Sequence, residues 1–183
     1  PRPVSSAASD VYKRQASTLP IALATMHNAI VTIGNFSKGQ TILIQGASSG
    51  VGLMGLQIAK HLGAKLVIGT STKPEKFDKL KSIGADLVVN SKDKDWVDHV
   101  LQVTNNEGVD LIIDQLSGYT INENMRASKV KGTIVNVGRL AGGNTEFNCD
   151  LHALRRINYR GVTFRTRSKN EIREIYSKMW NDF

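Results

Sequence analysis

Only one cysteine, Cys149, occurs in 183 residues. That excludes a disulfide framework and any zinc cluster built on cysteines. No apolar run approaches the length of a membrane span. Charged residues make up 22% and hydrophobic residues 40%, the balance of a soluble globular chain long enough for one domain with a full core. A reducing cytoplasm is the expected setting. A formal net charge of +8 raises the question of nucleic acid. The lysines, however, are scattered among acidic residues in most of the predicted helices, as on a solvated face. Neither nucleic acid nor a membrane is therefore expected as a partner.

The first fifteen residues lack apolar periodicity and the apolar region of a signal peptide. Within them, Asp10-Val-Tyr-Lys-Arg-Gln15 resembles the translation of a transposase adapter used in sequencing libraries. Residues 1–15 are accordingly expected to be a cloning-derived extension outside the fold. The native sequence would begin near Ala16, in mid-protein.

What the chain does have is centred on Thr41-Ile-Leu-Ile-Gln-Gly46-Ala47-Ser48-Ser49-Gly50-Val51-Gly52. Four β-prone residues enter a turn of glycines and small residues, and an apolar run, Leu53 to Leu62, follows. Strand, tight loop and helix in that order aim backbone N–H groups and a helix N-terminus at one point, where a pyrophosphate can sit. A side chain at Gly50 or Gly52 would hold off the phosphate or the packing of helix on strand. A strict G-x-G-x-x-G is absent, because Ala47 and Ser49 hold the first two glycine slots. By itself such a loop could be a mere tight turn. The second strand, Lys65 to Thr70, arrives at the spacing of a βαβ unit.

The alternation continues. A helix from a Ser17 or Thr18 cap runs to about Ile33, and its His27 reads as an ordinary packed or solvent-facing residue. Thr72 to Glu75 fits a capping box. Further strands are expected at Asp86–Asn90, Val109–Asp114, Thr133–Val137 and Tyr159–Thr166. The intervening helices are expected at 91–104 with Ser91 as a cap, 121–128, 151–157 and 170–180, with a turn at Lys131-Gly132. Six strands alternating with helices predict an α/β fold, a doubly wound parallel Rossmann sheet in the order 3-2-1-4-5-6 with helices on both faces. Ligands of such sheets bind at the carboxyl ends of the strands, across the switch point. Four tips are thus singled out: the loop at Ala47, Thr70 to Lys73, Gln115 to Gly118, and Asn136 to Leu140.

An NAD site carries an acidic residue at the end of strand two, bonded to the ribose 2′-hydroxyl. Here that tip reads Gly69-Thr70-Ser71-Thr72-Lys73. No carboxylate is there to repel a 2′-phosphate, and three hydroxyls, a helix N-terminus and Lys73 are there to bind one. NADPH is the expected cofactor. The bland alternative makes Lys73 a surface lysine in a first helical turn.

Taken together, Leu19-Pro-Ile-Ala-Leu-Ala-Thr-Met-His27, Gly46 to Gly52, Gly84-Ala-Asp86, Gly108-Val-Asp-Leu-Ile-Ile-Asp114 and Asn136-Val-Gly138 resemble the medium-chain dehydrogenase/reductase superfamily. Within it they look most like the zinc-independent, NADPH-dependent quinone oxidoreductases. The resemblance covers the chain from about Ala16 to its end. It implies that Ala47 to Gly52 hold the pyrophosphate, and that Ser71 and Lys73 hold the 2′-phosphate. Leu116 and Ser117 would lie by the adenosine, Val137, Gly138 and Arg139 by the nicotinamide, and Thr25 near its amide. Hydride would pass to the electron-poor carbon of a quinone or enone. Relatives often carry a tyrosine just after strand three that helps hold the 2′-phosphate; this chain has Ser91 there. Relatives also begin with a catalytic domain that forms most of the substrate cleft. Residues 16–183 therefore read as a cofactor domain without that partner and cut short at the C-terminus. The open edge at the sixth strand would pair across a homodimer.

Other readings lack their residues. A short-chain dehydrogenase needs Tyr-x-x-x-Lys, and none of Tyr12, Tyr119, Tyr159 or Tyr176 has a lysine four residues later. A zinc alcohol dehydrogenase needs clustered ligands, and Cys149, His61, His99 and His152 make no such spacing. No residue stands out as acid, base or nucleophile. Two alternatives to a reductase that relies on placing its reactants therefore stay open: a non-catalytic NADPH-binding module, and a zinc-dependent alcohol dehydrogenase of the same superfamily whose ligands belong to the missing catalytic domain.

Overall fold

The computed structural model describes residues 19–183. The expected extension and the Ser17 or Thr18 cap lie outside them. Six strands form one parallel sheet: β1 (Thr41–Ile44), β2 (Leu66–Thr70), β3 (Leu87–Val89), β4 (Val109–Asp114), β5 (Ser128–Asn136) and β6 (Asn158–Gly161). Their order is β3-β2-β1-β4-β5-β6, the doubly wound order expected. The helices are α1 (residues 19–27, continuing as the π-helical Asn28–Ile33), α2 (Gly50–His61), α3 (Phe77–Ile83), α4 (Trp96–Val103), α5 (Ile121–Ala127), α6 (Cys149–Arg155) and α7 (Lys169–Asp182).

Strand residues alternate between two cores, as the period of two demands. Ile42, Ile44, Val67, Leu111 and Ile113 meet Met26 and Ile30 of α1 and Leu56 of α2 on one face. Leu43, Ile68, Ile112 and Ile134 meet Trp96, Val97 and Val100 of α4 and Met125 of α5 on the other. Both faces are covered, which is why the strands read as continuous apolar runs. Each of these side chains contributes about 1.5–3 kcal/mol by leaving water. A third, smaller cluster fastens α7 to α1 through Ala24, Ile175 and Met179. His27 is packed, as expected, with Nε2 2.7 Å from Asp182 Oδ2.

Several boundaries differ from the sequence expectations. The last turn of α1 is π-helical, because the Gly34 N–H bonds to the Ala29 carbonyl five residues back. Thr72 caps nothing. A short 3-10 turn begins after Lys73, which has no side-chain cap, and the Lys73 N–H donates instead to Ser71 Oγ at 3.2 Å. Ser91 does not cap α4 either; Asp95 precedes that helix, while Ser91 is buried in the turn after β3. The turn at Lys131-Gly132 is an irregularity inside β5. Pairing with β4 jumps from Val109↔Ser128 to Leu111↔Thr133, and Lys131 takes φ 66°. Finally, β6 stops at Gly161, so the open edge is four residues long.

Candidate functional site

The four predicted tips converge at the carboxyl end of the sheet, and hydrogen bonds join them. In the first tip, Gly46 N donates to Thr70 Oγ1 (3.0 Å) and Ala47 N to the Thr70 carbonyl (2.9 Å), so the end of β2 holds the start of the loop. Ser49 caps α2, accepting from Gly52 N at 3.0 Å. Its hydroxyl lies 2.9 Å from the Gly46 carbonyl and 3.1 Å from Gln115 Oε1. A Cβ on Gly52 would stand 2.5 Å from the Gly46 carbonyl oxygen and 2.7 Å from Ala47 Cα. No side chain fits there, so loop and helix can close only on a glycine. A Cβ on Gly50 would meet nothing within 4 Å. One glycine closes the loop, and the other faces open space.

Not all the loop amides are available. Those of Gly46, Ala47, Ser49 and Gly52 are bonded inside the protein. Among the described residues, the N–H groups of Ser48, Gly50 and Val51 have no such acceptor. The donors for an anion thus reduce to these three, at the N-terminus of a twelve-residue helix. In the second tip, Ser71 Oγ lies 3.3 Å from Ser48 Oγ, which brings the two hydroxyl-bearing tips together, and Lys73 is exposed beside them.

Beneath the tips runs a buried polar chain. Thr70 Oγ1 donates to Gln45 Oε1 (2.7 Å), and Gln45 Nε2 to Asn124 Oδ1 (2.6 Å). Gln115 Nε2 donates to the Gln45 carbonyl at 2.9 Å. Asp114, at the end of β4, accepts from Leu116 N (2.8 Å) and Ser117 N (2.9 Å) through Oδ1. Burial pushes its carboxyl above the ordinary carboxylate value, against the pull of those two amides. Its carbonyl accepts from Val137 N at 2.7 Å and Gly138 N at 3.2 Å, which sets the tip of β5 beside that of β4. Asn136 Nδ2 donates to the Tyr159 hydroxyl at 3.1 Å. Burial, and then the nearby Asp114 charge, push the Tyr159 phenol above its usual value.

The predicted residues thus fall into three groups. Gly46 to Gly52, Thr70, Ser71, Leu116, Ser117, Val137 and Gly138 come together at the tips, with Arg139 exposed just beyond. Ser117, expected beside a ligand, is buried with its side chain turned inward. Thr25 is half-buried on α1, and no hydrogen bond among the described residues ties its side chain to the tips. Ser91 sits to one side, 3.5 Å from the hydroxyl of Tyr119. Those two, with Lys92, Trp96 and Arg126, line a cavity of about 490 Å³. Tyr119 stands only two residues past Ser117, in the same tip. No group of three or more metal-ligating side chains occurs among the described residues. No helix there is long and apolar enough to cross a membrane.

The family described as zinc-binding dehydrogenase matches residues 50–181. Among curated proteins, the hybrid PKS-NRPS synthetase pyvA of Aspergillus violaceofuscus is 34% identical over 128 residues, 68% of this chain and 3% of its own. A highly reducing polyketide synthase of Emericella nidulans is 28% identical over 170 residues, 90% of this chain and 6% of its own. Among solved structures, AibC superposes with a TM-score of 0.79 at 28% identity, covering 91% of this chain and 46% of that one. The CurK enoyl reductase gives 0.75 at 25%, covering 91% and 51%. The fold recurs, at 23% identity and a TM-score of 0.81, in mycobacterial Rv1454c complexed with NADPH, with 91% and 52% covered. The chain spans about half the length of these structures and under a tenth of the curated relatives.

Proposed function

This chain belongs to the zinc-binding dehydrogenase family of the medium-chain dehydrogenase/reductase superfamily, and from that premise we propose that it binds NADPH for reduction of an electron-poor carbon–carbon double bond. The acceptor class is an enone or a quinone. Likeness to a highly reducing polyketide synthase and to an enoyl reductase supports the enone. When bound, NADPH supplies the hydride. The residues of this chain bind and orient it. The free amides of Ser48, Gly50 and Val51 take the pyrophosphate. Ser71 and Lys73 take the 2′-phosphate, with Ser91 further along the same side. Leu116 flanks the adenosine, Val137, Gly138 and Arg139 flank the nicotinamide, and Thr25 lies toward its amide. A homodimer through the β6 edge belongs to the same reading.

One observation carries the proposal: the tip of β2 offers the Ser71 hydroxyl, 3.3 Å from that of Ser48, and an exposed Lys73, with no carboxylate in 70–73. A 2′-phosphate is attracted there and a bare ribose gains nothing from the lysine. Calorimetric titration tests this with NADPH, NADH and a Lys73→Glu variant. The expectation is tighter binding of NADPH than NADH, with the preference reduced about tenfold in the variant, as for one lost charge-assisted contact. Equal affinity for the two cofactors in the unaltered chain would sink the NADPH reading.

A further inference from the structure

We infer that Ser117 is a positioning residue, a latch that ties the tip of β5 to the tip of β4 and so presets the backbone that flanks the nicotinamide. The inference rests on the NADPH reading given above. It begins with the backbone. Ser117 has φ 56° and ψ −148°, a region that glycine enters readily and a residue with Cβ enters only under strain. The residue is 3% exposed, so the strain is held in the interior.

Every polar atom of Ser117 is engaged. Its N–H donates to Asp114 Oδ1 at 2.9 Å, and its carbonyl accepts from Thr120 Oγ1 at 2.9 Å. Its hydroxyl donates to the Gly138 carbonyl at 2.9 Å and accepts from Asn136 Nδ2. A serine hydroxyl has one proton to give. Here that proton goes to the main chain of the neighbouring tip, so none is left for a ligand. The next residue reinforces the join: a Cβ on Gly118 would stand 2.3 Å from the Ala141 carbonyl oxygen, so the two tips touch main chain to main chain. A glycine at 117 would relieve the strain and lose the hydroxyl. What the hydroxyl does is fix the direction of the Gly138 carbonyl, at the point where β5 gives way to the exposed Arg139 and Leu140.

The test separates the two ends of the cofactor. NADPH and 2′,5′-ADP, which lacks the nicotinamide half, are titrated calorimetrically into the purified chain, Ser117→Gly and Ser117→Ala, with thermal midpoints measured alongside. Ser117→Gly is expected to melt at or above the unaltered chain. Both variants are expected to bind 2′,5′-ADP as the unaltered chain does, and NADPH about tenfold more weakly, as for one lost hydrogen bond. Should Ser117→Ala fail to fold, Ser117→Gly alone decides. Equal weakening toward both ligands would overturn the latch in favour of an adenosine contact or general damage. Unchanged NADPH affinity in the variants would overturn it too, while leaving the NADPH reading intact. If the unaltered chain binds neither ligand, that reading falls and the latch with it.

Discussion

The sheet divides between β1 and β4 into halves that reach the same surface by different means. The half made of β1, β2 and β3 pairs without register shifts, and its tip is shaped by missing side chains: Gly52 lets helix and loop close, and Gly50 leaves a space. The half made of β4, β5 and β6 has an irregular register and residues with positive φ at Ser117, Lys131 and Arg156. Its tips also approach closely at Gly118 and Gly138, but they are held in addition by side chains that reach across: Asp114 to Leu116 and Ser117, Ser117 to Gly138, Asn136 to Tyr159. The difference suits what each half would hold under the proposed function. An anion is met best by bare amides, which need close approach. A neutral ring needs a wall held at a set distance, and side-chain hydrogen bonds supply that rigidity.

The largest way to break the comparison is at Gly52. Gly52→Ala places a methyl 2.5 Å from the Gly46 carbonyl and 2.7 Å from Ala47 Cα, where only backbone can give way. We expect a loss of about 3 kcal/mol in urea denaturation. Gly50→Ala, with nothing within 4 Å, is expected to stay within about 0.5 kcal/mol of the unaltered chain. Equal effects at the two sites would mean that the first half is not shaped by close approach.

The same contrast explains what could be read from the sequence. Small residues at fixed spacing after a β-prone run are a local pattern, so the loop at 46–52, the strand order and the four tips were all legible. Side-chain latches depend on residues far apart in sequence, such as Ser117 and Gly138, or Gln45 and Asn124. Nothing in Gln115-Leu-Ser-Gly118 signals that its serine is turned inward. The capping patterns show the limit of local reading even more plainly. Thr72 to Glu75 has the spacing of a capping box and does not form one, because the helical turn starts one residue later, with Lys73 rather than Thr72 at its N-cap position. Ser168 to Glu171 has the same spacing and forms it fully. The position at which the helical turn begins decided between them.

In the second half, the group whose loss should cost most is Asp114. Asp114→Ala leaves the amides of Leu116 and Ser117 without their acceptor in the interior, and we expect a loss of about 2 kcal/mol. Asp114→Asn keeps an acceptor and removes the titration. Because burial raises the Asp114 pKa above its ordinary 3.8, the folded chain holds that proton more tightly than the unfolded chain. This contribution to stability is complete below the unfolded value and is lost as pH rises through the folded one. Denaturation from about pH 4 to about pH 7 should therefore show Asp114→Asn gaining on the unaltered chain as pH rises. A constant difference between them would mean that Asp114 titrates normally and that its buried position does not govern the tip.

A smaller effect, at α7, asks whether reliance on side-chain hydrogen bonds extends beyond the tips. Ser168 Oγ accepts from Glu171 N at 3.3 Å, and Glu171 Oε2 accepts from Ser168 N at 2.7 Å. The Ser168 N–H, then its hydroxyl, hold the Glu171 carboxyl below its ordinary value. Ser168→Ala removes one side of this box and is expected to cost about 1 kcal/mol. Since α7 covers α1 through Ile175, Met179 and the Asp182–His27 contact, that cost should appear in global unfolding if helix and sheet form one cooperative unit. It should appear only as faster amide exchange within 169–182 if α7 opens separately. The sign with pH is opposite to that of Asp114. A depressed carboxyl stabilises above its unfolded pKa and ceases to do so as pH falls through its folded value, so acid should erode the cap before it touches the tips. Loss of α7 protection on acidification in the unaltered chain, and its absence in Ser168→Ala, would place this box among the side-chain devices of the second half. The reverse pattern would assign α7 to packing alone.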